Sequence, residues 1–303
     1  MRTVSKTENS MKILITGACG QLGQELLHIL KSGESEIGAI SQLHKDAVIV
    51  AADVGELDIT SHGAVDSFIT TERPSVVINC AAMTNVDACE SDIQAALRVN
   101  SLGVRNLAKA AQTVSAKFLQ VSTDYVFSGD AKKPYCEWDA PSPKTIYGKS
   151  KLMGEDFALR FCDRVFIVRT AWLYGYHGGN FVKTILKNIR EKGSLKVVND
   201  QRGNPTHAND LAHHILKLAV SEEYGIYHCT GSGECSWYDF AVKIVELAGI
   251  KGEIYSCTTE EFPRPAPRPA YSALQNLMLS CTVGDEMRPW EEALSSFFKQ
   301  DRT

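Results

Sequence analysis

A tyrosine and a lysine in the segment TIYGKSKLMGE, Tyr147 and Lys151, are the first residues whose spacing suggests chemistry. Residues at positions i and i+4 share one face of a helix, so a phenol and an ammonium can reach one pocket. A nearby ammonium lowers the pKa of a phenol towards the range in which it exchanges protons at neutral pH. The pair predicts a general acid, although the same spacing also occurs on ordinary helix surfaces.

Hydroxyl groups end an apolar run earlier in the chain, FLQVSTDYVF. Thr123 stands at the end of this run, and Asp124 and Tyr125 follow it. In an open α/β sheet, ligands bind at the carboxyl ends of the strands. We therefore expect the Thr123 hydroxyl to hydrogen-bond the substrate oxygen that Tyr147 protonates.

Three glycines, Gly17, Gly20 and Gly23, directly follow the first apolar run in ILITGACGQLGQEL. The first permits a tight strand-to-helix turn, the second a close approach of a pyrophosphate, and the third close packing of the helix on the sheet. The helix N-terminus then attracts the phosphates. The pattern predicts a dinucleotide site, because it lies between a strand and an amphipathic helix.

Further candidates for cofactor contacts end the next two strands. Asp53 is expected to accept hydrogen bonds from the adenosine ribose, which favours NAD, although an ordinary acidic loop residue fits the pattern equally well. Asp58 is expected beside the adenine. Ala81 and Ala82 have side chains small enough to let a dinucleotide pass, or to fill a core.

Alternating apolar runs and helical patterns must position these residues. Strands are predicted at Lys12–Thr16, Val48–Ala52, Ser75–Cys80, Lys117–Ser122 and Arg164–Arg169. Helices are predicted at Leu22–Lys31, Gly63–Glu72, Ile93–Ser115, Ile146–Phe161, Asn180–Gly193, Asp210–Val220 and Ser236–Ala248. This alternation predicts an α/β fold with a doubly wound parallel sheet of the Rossmann type.

After about residue 170 the regular alternation of apolar runs and helical patterns ends, which predicts two domains. Residues 11–170 are expected to form the NAD(P)-binding Rossmann domain, and residues 171–303 mostly a smaller C-terminal substrate-binding domain. A strand at Lys196–Asn199, within 195–199, is expected to return to the main sheet. The loops Asp200–Thr206 and Arg264–Tyr271 are expected to close the cleft from the far side.

Composition excludes several classes of protein. The 303 residues carry a net charge of −4 and no basic cluster, which argues against a nucleic-acid partner. No apolar run approaches the roughly 20 residues that span a membrane. Nine widely spaced cysteines without a CxxC pair argue against disulfides and zinc, and favour a reduced, cytoplasmic protein. The polar segment Met1–Ser10 is interpreted as an upstream start or an added segment rather than a signal peptide.

Aromatic and histidine side chains give weaker signals. Trp172 follows a strand at its carboxyl end, so it is expected either to stack on a sugar or to close the cleft. Trp237 and Trp290 occur in apolar patterns and are expected in the core. Of His213 and His214, one is expected to face solvent.

The order of the motifs resembles that of the extended short-chain dehydrogenase/reductases, and within them the dTDP-4-dehydrorhamnose reductase family. The similar blocks run from Met11 to about Leu294: VINCAA, STDYVFSG, PYCEWDAPSPKTIYGKSKLMGE, VRTAWLYG, GNFVKTIL, DQRGNPTHANDLA and RPAPRPAYSAL. The resemblance implies hydride transfer from NADPH or NADH to the C4 ketone of a nucleotide-linked sugar. Tyr147 would protonate the oxygen, Thr123 would orient the carbonyl, and Lys151 would hold the nicotinamide ribose.

Other site residues are implied by the resemblance alone. Asn100 in RVNSLG matches the helix asparagine that relays a proton to the lysine. The implied substrate contacts are Val86, Asp124, Tyr125 and Trp172. The implied cofactor contacts are Gln21, Leu22, Asp58, Ile59, Ala81, Ala82 and Met83.

The chain also departs from the family pattern. Met83 replaces a polar residue and suggests a drier pocket, and Tyr271 replaces an asparagine. Some members dimerise around a magnesium ion through acidic residues, so a homodimer and magnesium are both open. Only Glu25 matches that pattern, and an exposed helix glutamate is expected instead. Two other functions remain open: a reductase or epimerase acting on another nucleotide sugar, and a non-catalytic NAD(P)-binding regulatory subunit.

Overall fold

The computed structural model describes residues 10–300, so the polar segment Met1–Ser10 lies outside the described residues except for Ser10. The strands are β1 Lys12–Thr16, β2 Glu34–Ser35, β3 Gly38–Ala39, β4 Val48–Ala52, β5 Val76–Asn79, β6 Lys117–Thr123, β7 Val165–Thr170, β8 Leu173–Tyr174, β9 Ser194–Val198, β10 Arg202–Gly203, β11 Thr206–His207, β12 Gly225–His228, β13 Cys235–Ser236 and β14 Glu253–Cys257. The helices are α1 Gln21–Ser32, α2 His62–Glu72, α3 Val86–Ser91, α4 Ile93–Leu97, α5 Val104–Thr113, α6 Ile146–Phe161, α7 Phe181–Lys192, α8 Ala208–Ala219, α9 Trp237–Ala248, α10 Leu277–Cys281 and α11 Trp290–Gln300.

Six parallel strands form the main sheet, in the order β12-β7-β6-β5-β1-β4. The chain moves from β1 outward to β4, and then to β5 on the other side of β1. The order therefore reverses between β1 and β5, which is the point where doubly wound sheets bind their ligands. This arrangement confirms the predicted α/β fold class.

Helices cover both faces of the main sheet, which explains the continuous apolar runs in its central strands. One core joins the sheet to α1 and α8 through residues such as Leu26 and Leu211. The other core joins the opposite face to α2, α5 and α6, and it contains Ile69, Leu107 and Ala158. Both cores hold the carboxyl ends of the strands in fixed positions relative to one another.

A separate core forms among α7, α9 and α11 in the second half of the chain. It is rich in aromatic residues, including Phe240, Trp290 and Phe297. All its members come after residue 170, the boundary that the sequence predicts between two domains. Helix α8, by contrast, belongs to the core of the main sheet although it follows that boundary.

The prediction that Lys196–Asn199 returns to the main sheet is wrong. Strand β9 pairs with β14 in a separate parallel pair, and β12 is the strand that joins the main sheet, beside β7. Lys196 is exposed at the middle of β9, and an exposed lysine suits a half-covered pair better than a sheet covered on both faces.

Two predictions about single helices also need correction. The predicted helix Ile93–Ser115 is interrupted by a π-helical turn at Arg98–Gly103, between α4 and α5. Both His213 and His214 are buried, because α8 is covered on more than one side. The His213 ring contacts the Ser35 hydroxyl, and the His214 ring accepts the backbone N–H of Glu286.

The expected exposure of Glu25 is also wrong, because this residue is only 1% exposed. Helix α1 packs against α8, where Asn209 donates to Glu25 Oε1 at 2.6 Å. Glu25 Oε2 has no hydrogen-bond partner among residues 10–300, and it lies 4.0 Å from His177 Nε2. Within that range no cluster of three or more potential metal ligands occurs.

Two global features of the described residues complete the fold. All nine cysteines are free thiols. None of the helices between residues 10 and 300 combines the length and the apolar character needed to cross a membrane.

Candidate active site

The glycine turn between β1 and α1 is built so closely that side chains are excluded. Gly17 has φ +67°, and a Cβ there would lie 2.6 Å from the backbone nitrogen of Ala81. A Cβ on Gly23 would lie 2.4 Å from the Gly17 carbonyl oxygen. Gly20 caps α1 without a side-chain hydrogen bond, so the first backbone N–H groups of the helix remain available to an anion.

Two cavities flank the glycine turn and share Gly20, Cys80 and Ala82. The first, here called the Asp53 cavity, has a volume of about 470 Å³ and is lined by Gly17, Cys19, Gly20, Asp53, Val54, Leu57, Asp58, Ile59, Thr60, Cys80, Ala81, Ala82 and Val99. The second, the Tyr147 cavity, has a volume of about 510 Å³. Its lining includes Gly20, Gln21, Leu22, Gly23, Ala82, Val86, Thr123, Asp124, Tyr125, Tyr147, Lys151 and Trp172. Most of the predicted site residues therefore lie along one continuous groove.

Asp53 is held in its cavity by backbone N–H groups. Its Oδ2 accepts from the N–H of Cys19 at 2.9 Å, and its Oδ1 accepts from the N–H of Val54 at 2.8 Å. The hydrogen bond from Val54, followed by that from Cys19, lowers the pKa of Asp53 below its ordinary value. Asp53 is thus an ionised carboxylate that also ties the glycine turn to the end of β4.

Tyr147 is placed by the beginning of α6. Thr145 caps this helix by accepting the N–H of Gly148 at 3.0 Å. A Cβ on Gly148 would lie 2.1 Å from the Tyr125 carbonyl oxygen, so the glycine allows α6 to begin directly against the end of β6. The Tyr147 ring meets the Tyr125 ring edge-on, with centroids 5.5 Å apart.

The electrostatic surroundings of Tyr147 differ from those expected. Burial raises its pKa above the ordinary value, the Asp124 charge adds to this, and a hydrogen bond with Thr123 opposes it. Lys151 Nζ instead donates to the Val121 carbonyl oxygen at 2.7 Å. The expected lowering of the Tyr147 pKa is therefore not found, and the phenol is held in the protonated form that a proton donor requires.

Lys151 is itself strongly affected by its position. Its side chain is buried, and this burial lowers its pKa from 10.5 to about 8, against the opposing charges of Glu155 and Cys80. A lysine with a pKa in this range can exchange protons near neutral pH.

Thr123 and Asp124 form a buried pair at the end of β6. The Thr123 hydroxyl donates to Asp124 Oδ1 at 2.9 Å and accepts the N–H of Tyr125 at 3.2 Å. Asp124 Oδ2 has no partner within the described part of the chain. Burial raises the pKa of Asp124 from 3.8 to about 6. Asp124 lines the Tyr147 cavity beside the catalytic candidates, and the Ser272 and Thr123 side chains oppose the rise in its pKa.

Asn100 and Met83 are placed behind the groove by their mutual contacts. Asn100 Oδ1 accepts the Met83 N–H at 2.8 Å, and its Nδ2 donates to the Met83 carbonyl at 3.0 Å. The same Nδ2 lies 3.0 Å from the hydroxyl of Ser150, which precedes Lys151. Asn100 lies in the π-helical turn, so this interruption of the helix aims its amide at the segment after β5.

The prediction that Trp237 is an ordinary core residue needs correction. It is half-buried and lines the Tyr147 cavity together with Trp172. The two indoles stack with ring centroids 3.5 Å apart and planes inclined by 6°. Trp290 is buried in the core among α7, α9 and α11, as predicted. Nothing in the local sequence distinguishes the two tryptophans, since each begins a helix with an apolar face.

A third cavity, the Arg268 cavity, was not anticipated as a site. Its volume is about 610 Å³, and it meets the Tyr147 cavity at Tyr125 and Trp237. It is lined by Tyr125, Phe181, Thr184, Ile185, Asn188, Lys192, Ser194, Leu195, Lys196, Val197, Val198, Gln201, Trp237, Phe262, Arg264 and Arg268. Among these described residues there are four cationic side chains and no carboxylate; Arg268 pairs with Asp87 at 2.9 Å and Lys196 with Glu261 at 3.4 Å, both outside the lining. Gln201, Arg264 and Arg268 belong to the two loops that were expected to close the cleft.

These features define an oxidoreductase of the short-chain dehydrogenase/reductase class: a glycine turn at the switch point of a doubly wound sheet, beside a strand-end threonine and a Tyr-x-x-x-Lys helix. The chain belongs to the RmlD substrate binding domain family, whose model matches residues 11–303.

Individual relatives cover nearly the whole chain. It is 40% identical over 289 residues to the spore coat polysaccharide biosynthesis protein SpsK of Bacillus subtilis, covering 95% of this chain and 97% of SpsK. The crystal structure of a dTDP-4-dehydrorhamnose reductase from Clostridium acetobutylicum is 48% identical, with a TM-score of 0.91, covering 97% of this chain and 100% of that one. A dTDP-4-dehydrorhamnose reductase from Bacillus anthracis, crystallised in complex with NADP, is 41% identical with a TM-score of 0.91, covering 96% and 100%.

Proposed function

We propose that this protein catalyses the NAD(P)H-dependent reduction of the C4 ketone of dTDP-4-dehydro-L-rhamnose to dTDP-L-rhamnose. The observation that carries the proposal is the convergence of Thr123, Tyr147 and Lys151 on the cavity that also contains the glycine turn. Relatives that cover the whole fold and bear the name of this activity support the same substrate class.

The groove formed by the Asp53 and Tyr147 cavities fits a dinucleotide. Its middle is the glycine turn, where close backbone packing excludes side chains and the start of α1 offers N–H groups to a pyrophosphate. The adenosine would contact Asp53, Asp58, Ile59 and Ala81, and the pyrophosphate Gln21 and Leu22. Reduced nicotinamide bound at the other end supplies the hydride for C4 of the sugar.

Tyr147 is the proton donor in this mechanism. As the carbonyl carbon accepts the hydride, its oxygen gains negative charge and takes the phenolic proton, which leaves an alcohol. Thr123 donates a hydrogen bond to the same oxygen, and for this its hydroxyl must turn away from Asp124. Lys151, with a pKa of about 8, stabilises the phenolate by its charge, contacts the nicotinamide ribose and supports proton return. Asn100 supports the site indirectly, through its hydrogen bonds with Met83 and with Ser150, which precedes Lys151.

The sugar is proposed to occupy the Tyr147 cavity. Val86, Tyr125 and Trp172 provide apolar and aromatic surface there, and the unpartnered Asp124 Oδ2 accepts a sugar hydroxyl. The nucleoside diphosphate extends into the Arg268 cavity, whose cations and aromatic rings match its charge and its base.

Cofactor choice depends on Asp53. An ionised carboxylate beside the adenosine ribose favours a hydroxyl over a 2′-phosphate, so we propose that NADH is used at least as well as NADPH. The relative from Bacillus anthracis was crystallised with NADP, which makes a direct comparison of the two cofactors informative. We further propose a cytoplasmic homodimer; for magnesium, Glu25 provides one buried carboxylate and no complete set of ligands among residues 10–300.

The proposal is tested by following NADH and NADPH oxidation with dTDP-4-keto-6-deoxy-L-lyxo-hexulose and with other nucleotide-linked ketosugars. We expect the dTDP-linked substrate to give the highest kcat/KM, with an alcohol product at C4. A higher kcat/KM for another nucleotide sugar would move the assignment to that substrate. Tight cofactor binding without turnover of any ketosugar would favour a regulatory subunit.

A further inference from the structure

The backbone of Trp172 adopts a conformation that must be maintained by its surroundings. Its φ is +47°, in the left-handed region that bulky L-residues rarely occupy. Trp172 lies two residues after the end of β7, where the chain turns into the cleft. Because this conformation is unfavourable by itself, contacts must stabilise it: the Trp172 carbonyl accepts the Thr206 N–H at 3.2 Å, and the indole has packing contacts of its own.

Those contacts come from the second half of the chain. One is Gly203, where a Cβ would lie 2.6 Å from Trp172 Nε1. The indole therefore packs directly against the Gly203 backbone. The other is Trp237, whose ring is parallel to that of Trp172 at 3.5 Å. Trp172 is therefore confined between two elements that lie on the far side of the cleft from the main sheet.

Trp237 is in turn held firmly in its own place. It is the first residue of α9, which begins with a capping box between Ser236 and Asp239. The Phe181 ring contacts it with centroids 4.4 Å apart. A helix start fixed by reciprocal hydrogen bonds and by aromatic packing gives the Trp237 indole little freedom to move.

The location of the pair determines what it can contact. Trp237 and Tyr125 are the two described residues that line both the Tyr147 cavity and the Arg268 cavity. If the ketone lies at Tyr147 and the diphosphate at the cations, the sugar ring passes through this junction. Trp172 is partly exposed in the lining of the Tyr147 cavity, so the open edge of its indole can contact that ring.

We propose that Trp237 is a positioning residue, which holds the Trp172 indole at the junction of the two cavities so that the part of the indole left exposed by Trp237 and Gly203 contacts the sugar ring of the substrate. This inference rests on the proposed function, because it assigns the junction to the sugar. Trp237 acts through Trp172, so its contribution to substrate use depends on Trp172 being present.

A double-mutant cycle tests this dependence. Trp237→Ala should raise KM for the dTDP-linked ketosugar and lower kcat/KM by about 3- to 10-fold, the range for one aromatic pair, with NADPH affinity changed less than twofold. Trp237→Phe should restore most of the loss. In the Trp172→Ala background, Trp237→Ala should cause little further loss. Losses that multiply in the double variant would overturn the proposal.

The control is Trp290→Phe, which alters a second tryptophan at a helix start that also packs against Phe240 but lies outside the Tyr147 cavity. It should leave KM unchanged. If Trp237→Ala does not fold, Trp237→Leu replaces it in the cycle, with thermal unfolding measured for every variant.

The same cycle is repeated with calorimetric binding of dTDP-D-glucose, which needs no turnover. Wild-type binding of this probe without turnover of any ketosugar would overturn the proposed function, whereas the cycle would still decide the role of Trp237. Failure of the wild-type protein to bind the probe would overturn both.

Discussion

Lys151→Met should make the protein more stable and less active, because the fold buries a lysine cation that we propose to take part in catalysis. The side chain is 4% exposed, and burial lowers its pKa from 10.5 to about 8. Each pH unit of displacement corresponds to about 1.4 kcal/mol, so the buried cation costs the fold about 3 kcal/mol at neutral pH. Methionine fills a similar volume without a charge.

Part of this gain is offset by a lost hydrogen bond. Lys151 Nζ donates to the Val121 carbonyl, and such a bond contributes about 1 kcal/mol. The carbonyl keeps another partner, because Gln120 Nε2 also donates to it at 2.6 Å. We therefore expect Lys151→Met to raise the free energy of unfolding by about 2 kcal/mol at pH 7.

The pH dependence identifies the cause. Between pH 8 and 10.5 the unfolded lysine keeps its proton while the folded one loses it, so wild-type stability rises with pH through this group. The advantage of Lys151→Met should thus be largest below pH 8 and shrink by about 2 kcal/mol at pH 9.5. Turnover should fall by a factor on the order of 10² or more, since the cation that we propose to stabilise the Tyr147 phenolate is lost.

The assay is urea unfolding of the cofactor-free protein at pH 7 and pH 9.5. Lys149→Met is the matched control, because Lys149 lies on the same helix and is exposed; its effect should be small at both pH values. A Lys151→Met variant that is less stable than wild type at pH 7, or whose advantage is equal at the two pH values, would refute the reasoning.

Two further substitutions test other parts of the site. Asp53→Asn keeps one acceptor for the N–H groups of Cys19 and Val54 but removes the charge. The ratio of kcat/KM for NADPH to that for NADH should therefore rise. An unchanged ratio would show that the carboxylate does not face the ribose. Gly203→Ala places a methyl group 2.6 Å from the Trp172 indole, so KM for the ketosugar should rise while NADPH binding, measured by fluorescence titration, stays the same; equal weakening of both would indicate a general loss of structure.

The sequence predicted the main sheet well where burial was complete. The central strands are continuous apolar runs because helices cover both faces, and that pattern is visible without coordinates. The same criterion should have excluded Lys196 from the main sheet, whereas the true sixth strand, Gly225–His228, is too short and too mixed in composition to be recognised. The burial of Glu25 depends on which helix packs against α1, and the sequence pattern of α1 alone does not contain that information.

The candidate site likewise has features that the sequence predicted and features that it could not. Local motifs identified the glycine turn, Thr123, Tyr147 and Lys151, because each depends on neighbours within a few residues. The stacking of Trp237 on Trp172 joins residues far apart in the chain, and it depends on how α9 meets the end of β7. The sequence could not predict whether the pKa of Tyr147 is raised or lowered, since this follows from burial and from the orientation of the Lys151 side chain.

The central claim is that Tyr147 donates the proton in a ketone reduction. Its most direct test is the turnover of Tyr147→Phe with dTDP-4-keto-6-deoxy-L-lyxo-hexulose and saturating NADH or NADPH, beside the exposed control Tyr255→Phe. We predict that Tyr147→Phe lowers kcat by a factor on the order of 10² to 10⁴ and leaves cofactor affinity nearly unchanged, and that Tyr255→Phe has no effect. Near wild-type turnover by Tyr147→Phe would contradict the account.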